Sequence, residues 1–122
     1  MSTDTPVILH SVPVLRCAPE GPPLDGERAA LDLVGDAFGH GAEIVVVPVE
    51  RVPDSFFRLR SGVAGAVVQK FVNYRLRLAV VGDISARVAA SDALRDFVRE
   101  SNRGRQLWFV ATESELSDRL RP

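Results

Sequence analysis

The chain has one cysteine, Cys17, so it has no internal disulfide framework, and a cytosolic setting is the simplest expectation. It has one lysine, Lys70, inside a helical pattern, which removes any phosphate-cradling Gly-Lys-Ser/Thr loop. Its two histidines, His10 and His40, form no pair at metal spacing, and neither is marked for a serine–histidine–aspartate triad. No apolar run approaches the roughly 20 residues needed to cross a bilayer. The opening "MSTDTPVILHSV" has neither the basic start nor the long apolar core of a signal peptide. "GHG" at Gly39–Gly41 is half a dinucleotide fingerprint, but it follows a helix and precedes a strand, the reverse of what that motif needs.

What is present fits one globular domain of 122 residues, with 46% hydrophobic and 25% charged residues. Residues 1–6 are expected to be a loose end, with one domain over 7–122. The net charge of −1 hides a split: residues 1–50 carry two arginines and eight acids, whereas 51–110 carry eleven bases and five acids. Within one fold the halves neutralise each other; outside it, the split points to self-association or an anionic partner.

"VILH" and "VPVLRC" are rich in branched residues, and Pro13 suits a strand start or a sheet edge. After the loop "APEGPPLDG", Asp25 is the expected N-cap of a helix with Ala30, Leu33, Val34, Ala37 and Phe38 inward, ended by Gly39 and Gly41. "EIVVVPV" is a strand buried on both faces, with Pro48 near its end. A second helix lies between Ser55 and Val72, with Ala64, Val67, Val68, Phe71 and Val72 as its apolar stripe, and "SFFRLR" allows a separate short turn before it. "LRLAVVGD" is the next strand. Ser91 with Asp92 opens a third helix, with Leu94, Phe97, Val98 and Ser101 inward and Gly104 as its left-handed stop. "QLWFVA" is the last strand. Thr112 and Glu115 form a capping box for a final helix with Leu116 and Leu120 inward. Strand and helix alternate throughout, which predicts an α/β layer: a single domain with a mixed, mostly parallel sheet of about four to five strands and about four helices.

In such folds ligands favour the carboxyl ends of strands. The loops there offer Asp54, Ser55, Arg58, Arg60, Ser61, Gly62, Asp83 and Ser85, with Thr112 after the last strand. A helix opening at Ser61–Gly62 beside Arg58 and Arg60 suits an anion. The structural roles of the same residues are an N-cap for Ser61, close helix packing for Gly62 and Gly65, and a turn cap for Asp83. Arg99, Arg103 and Arg105 form a second basic cluster, accounted for by favourable charge at a helix C-terminus. No catalytic set, cofactor or metal is indicated.

The runs "FFRLRSGVAGAVVQKFVNYRLRLAVVGDIS" and "LRDFVRESNRGRQLWFV", with "ALDLVGDA" and "IVVVPVERVPDSFF" before them, resemble an uncharacterised bacterial family, domain of unknown function 4180. More distantly, the order "VPDSFFRLRSG", helix, apolar strand is similar to the STAS (sulfate transporter and anti-sigma-factor antagonist) domain. That resemblance implies a regulatory, protein-binding module and places Ser61 where that family has its phosphorylatable serine. Leu59 and Arg60 precede it here, where that family has Asp-Ser. The expected function is therefore a non-enzymatic interaction module with a protein partner. A small-molecule or anion-binding protein is the alternative, homo-oligomerisation a third reading, and nucleic acid ranks below all three.

Overall fold

The computed structural model describes residues 4–122. Residues 1–3 of the expected loose end lie outside the described residues; Thr5 and Pro6 already belong to a strand. Strand β1 (Thr5–Leu9) turns back through His10 and Ser11, both at positive φ (49° and 69°), into β2 (Val12–Arg16). That pair of left-handed residues is the two-residue hairpin turn whose twist suits antiparallel strands. The chain then forms α1 (Glu27–Gly39), β3 (Ile44–Pro48), α2 (Asp54–Phe57), α3 (Val63–Asn73), β4 (Arg77–Val81), α4 (Ser85–Ala89), α5 (Asp92–Arg103), β5 (Leu107–Val110) and α6 (Glu113–Arg119). Short 3₁₀ turns at Val49–Arg51 and Leu59–Ser61 flank α2. The short α2 and α4 add to the four helices expected.

The sheet order is β1-β2-β3-β4-β5, antiparallel at β1–β2 and parallel from β2 to β5. Every parallel crossover steps the same way. Right-handed crossovers therefore put α1, α3 and α5 on one face. There Leu15, Val45, Val47, Leu78, Val80, Leu107 and Phe109 of the sheet pack against Leu33, Val34, Val67, Phe71 and Leu94 of the helices. The opposite face, with Val14, Ile44, Val46, Ala79, Trp108 and Val110, is covered by α6 through Leu116 and Leu120. Arg16 pairs with Glu113 at 2.5 Å, and Ser117 Oγ lies 2.9 Å from His10 Nε2, so α6 is tied to both ends of β2. The guanidinium carbons of Arg77 and Arg119 stand 4.4 and 4.5 Å from the centre of the Trp108 ring. Trp108 Nε1 donates to the Gly104 carbonyl at 2.8 Å. Arg77 Nη2 is buried with no hydrogen-bond partner among the described residues, and the indole face offers its charge some compensation.

Local chemistry sets the helix ends. Ser91 Oγ accepts from Leu94 N at 3.1 Å, and Thr112 Oγ1 accepts from Glu115 N at 3.1 Å, as expected. Glu115 Oε2 reaches back one residue further than a capping box requires, to Ala111 N at 3.0 Å. Four expectations are corrected. Val72 is 43% exposed and lies outside the buried stripe of α3, which is Ala64, Val67 and Phe71. Asp25 is not an N-cap: Ala30 N bonds to Gly26 O, so α1 begins one residue too late for the Asp25 carboxylate to reach it. Phe38 is 55% exposed at the far end of α1, where its ring meets Tyr74 edge-on at 5.8 Å. Gly104 is extended (φ −89°), not left-handed, and its carbonyl serves Trp108.

Both sheet edges are blunted. Pro6 in β1 has no N–H to offer a further strand. On β5, the Asn102 side chain accepts from Phe109 N at 2.8 Å and donates to Phe109 O at 3.2 Å, taking the place of a neighbouring strand. Asn102→Ala should leave that pair open. We expect a loss of about 1–3 kcal/mol in urea denaturation, with increased light scattering on storage; an unchanged midpoint would refute the edge role.

Candidate functional site

The carboxyl ends of β3 and β4 lie side by side, and the sequence-predicted residues collect there. Beneath them Phe56 and Phe57 are buried, with ring centres 5.5 Å apart and each 6.5 Å from Phe109; Phe97 completes the cluster at 6.1 Å from Phe109. Such offset and edge-on aromatic contacts fix the α2 turn to the sheet. From that base the rim Asp54–Gly62 projects outward.

Asp54 Oδ1 accepts from Arg87 at 2.5 Å, and the Arg87 guanidinium carbon lies 4.5 Å from the centre of the Phe57 ring. Arg87 thus clasps α2 to α4. The hydrogen bond from Arg87, and then its charge, hold the Asp54 carboxyl below its ordinary value. Asp83 Oδ1 accepts from Ser85 N at 2.9 Å, the expected turn cap, and hydrogen bonds from Ser85 lower its pKa as well. Ser61 donates its hydroxyl proton to the Ser55 carbonyl at 2.5 Å and accepts from Val63 N at 3.2 Å. These bonds correct its expected role. Ser61 closes the 3₁₀ turn, and the N-cap of α3 is Gly62, at φ +80°.

Gly62 and Gly65 are not there for close packing, since a Cβ at either meets nothing within 4 Å. Gly62 is needed for its left-handed backbone. Arg58, Arg60 and Ser61 are exposed. The structure therefore joins Ser55 to Ser61, ties Asp54 to the helix that Ser85 opens, and leaves Thr112 apart as the cap of α6. In the second basic cluster, Arg99 and Arg103 pair within α5 with Asp96 (3.8 Å) and Glu100 (3.2 Å).

Gly82, just after β4, is the tightest point of this edge. It has φ +150°, and a Cβ there would collide with the Val49 side chain. Val49 opens the turn that carries Arg51, the one charged residue buried among the described residues, at 5% exposure. Arg51 Nη1 pairs with Asp4 Oδ1 at 3.0 Å, Nε donates to Pro22 O at 3.1 Å, and the Arg51 carbonyl accepts from Leu24 N at 2.8 Å. Asp4 Oδ1 also accepts from Ala18 N at 3.0 Å. One guanidinium thereby binds the start of β1, the loop after β2 and the turn after β3. Sequence reasoning missed it, because "VERVP" has the look of a loop exit and its partners are distant in the chain. A cavity of about 530 Å³ opens beside it, lined by Asp4, Leu24, Asp25, Arg28, Asp32 and Leu33, among others, and by none of the rim residues. Burial, and then the Asp4 charge, push the Cys17 thiol up to about 12.

Gly82→Ala should cost about 2–4 kcal/mol from backbone strain and overpacking; an unchanged melting temperature would refute the close approach. Cys17 sets an alkaline limit. Its unfolded thiol ionises near 9.0 and the folded one only near 12, so between those values the folded state binds more protons and stability falls as pH rises. Urea midpoints at about pH 8.5 and about pH 10.5 should diverge more in the wild type than in Cys17→Ala; equal slopes would refute it.

Among the described residues, no helix is long and apolar enough to cross a membrane. No curated protein and no solved structure matches the chain. A family model described as Domain of unknown function (DUF4180) matches residues 9–120, nearly the whole chain, from the end of β1 through β2–β5, the rim and all six helices described above, and the chain belongs to that family.

Proposed function

We propose that this chain is a non-enzymatic, regulatory protein-interaction module, STAS-like in plan and working in the bacterial cytoplasm, with its contact surface on the rim Asp54–Gly62. The observation that carries this reading is the division of labour along the rim. Asp54, Ser61, Asp83 and Ser85 are engaged in bonds that hold the rim's shape, while Arg58 and Arg60 stand exposed on turns anchored by buried Phe56 and Phe57. An exposed surface carrying two arginines suits a protein partner, where arginine is a frequent energetic anchor. The strand order supports the same choice. It never reverses, so the parallel sheet has no switch-point crevice of the kind that holds small ligands. An anion site is the second reading, favoured by Arg58 and Arg60 beside the opening of α3.

One paired experiment separates the two. Bait carrying Arg58→Ala and Arg60→Ala, or Ser61→Asp, is compared with wild type in quantitative pull-downs from host lysate. In parallel, wild type is screened for thermal shifts with phosphorylated and carboxylated metabolites. We expect a partner whose recovery falls about tenfold with the arginine variant, as loss of roughly 1.4 kcal/mol implies. Unchanged recoveries together with a stabilising anion would overturn the module in favour of the anion site.

A further inference from the structure

The helical layer is one helix short of the sheet. Helices α1, α3 and α5 each belong to a parallel crossover, but β1 enters by a hairpin and brings none. The sheet therefore extends one strand beyond the layer. On the helical side of that strand no β1 residue joins the core, Pro6 is exposed and Ile8 is 65% exposed. The result is a groove walled by α1 and floored by the hairpin. At one end lies the 530 Å³ cavity, reaching from Asp4 along α1 to Asp36. At the other, Pro6, Ile8, Pro13 and His40 line a smaller hollow of about 100 Å³. The thirteen-residue α1 that runs beside it is about 20 Å long at 1.5 Å per residue.

The groove has a strong charge bias. Glu20, Asp25, Asp32 and Asp36 line it, and none of them makes an ion pair among the described residues. Arg28 is the one lining cation besides Arg51, whose charge is met by Asp4. Leu24, Leu33 and Ala29 supply apolar surface between the carboxylates. No cluster among the described residues is arranged to hold a metal ion. An acidic wall repels nucleic acid and anionic lipid alike.

We infer that this groove receives a basic amphipathic helix of a partner protein, which takes the vacant place over β1. Its apolar stripe meets Ile8, Pro13 and Ala29, and its lysines or arginines meet Asp32, Asp36 and Glu20. This is helix-in-groove recognition with charge complementarity setting orientation and partner. The site is separate from the rim and stands or falls independently of it.

The test uses the full chain and a fluorescein-labelled synthetic peptide of about four helical turns. Leucines are spaced i, i+3, i+4, i+7 with lysine elsewhere; a second peptide keeps the leucines and replaces lysine by glutamate. In fluorescence anisotropy the lysine peptide should bind and the glutamate peptide should not. Asp32→Asn with Asp36→Asn should weaken binding about tenfold, as should Ile8→Lys at its exposed position. Arg58→Ala with Arg60→Ala should leave it unchanged. Circular dichroism melts establish that each variant is folded. The proposal is overturned if the lysine peptide does not bind, or if its affinity ignores the groove variants. It is also overturned if spermine binds there in the peptide's stead, marking a small-cation site, or if light scattering shows a dimer that Ile8→Lys dissolves, marking a second copy as the occupant.

Discussion

Handedness is the constraint from which the rest of this molecule follows. A strand, a helix and a parallel strand join almost always in the right-handed sense, because a twisted strand and a right-handed helix pack back onto the sheet only that way. Here the crossovers β2 to β3, β3 to β4 and β4 to β5 all step in one direction. One face consequently receives every crossover helix. The other face, equally apolar, is left to the seven residues of α6 and to the polar ties that hold them: Arg16 with Glu113, His10 with Ser117, and Arg119 over Trp108. The same rule leaves β1 bare, since a hairpin strand has no crossover to contribute.

One buried and one half-buried arginine are tolerated for different reasons. Arg51 is nearly dry but is met by a carboxylate and backbone carbonyls, so its desolvation is offset by charge-assisted bonds to several chain segments at once. Arg77 is only partly covered; burial lowers its pKa, and it leans on an indole face as well as on the Arg105 carbonyl at 2.6 Å. Arg51 holds together the end of the sheet where the hairpin, α1 and the rim meet. Arg119, over the Trp108 ring and bonded to the Asn102 carbonyl, holds α6 to the opposite face.

What could be seen in the sequence was whatever chemistry acts over three or four residues. Ser91, and Thr112 with Glu115, cap the helices they precede, and the unbroken apolar run Ile44–Pro48 lies centrally in the sheet. The alternation of strand and helix gave the layer. Three kinds of feature escaped. A one-residue shift in helix register, enough to remove Asp25 as a cap and install Gly26, costs too little to leave a mark in composition. Pairs such as Asp4 with Arg51, or Asn102 with Phe109 at the sheet edge, depend on topology rather than spacing. At the start of α3 the expected cap moved from Ser61 to Gly62, because the 3₁₀ turn before the helix uses the serine and passes the cap to the glycine. The groove over β1 was hidden for a further reason: it is defined by a helix the chain does not supply.

The placement of α6 also bears on synthesis. A ribosome delivers the chain in order, and the sheet with its crossover helices is encoded before Thr112. Until the residues after it emerge, Ile44, Val46, Ala79 and Trp108 have no cover on their side of the sheet. A helix of seven residues is too short to form by itself in water, so it gains its shape only by landing on that surface. Forming that helix and covering that face of the sheet are therefore a single event.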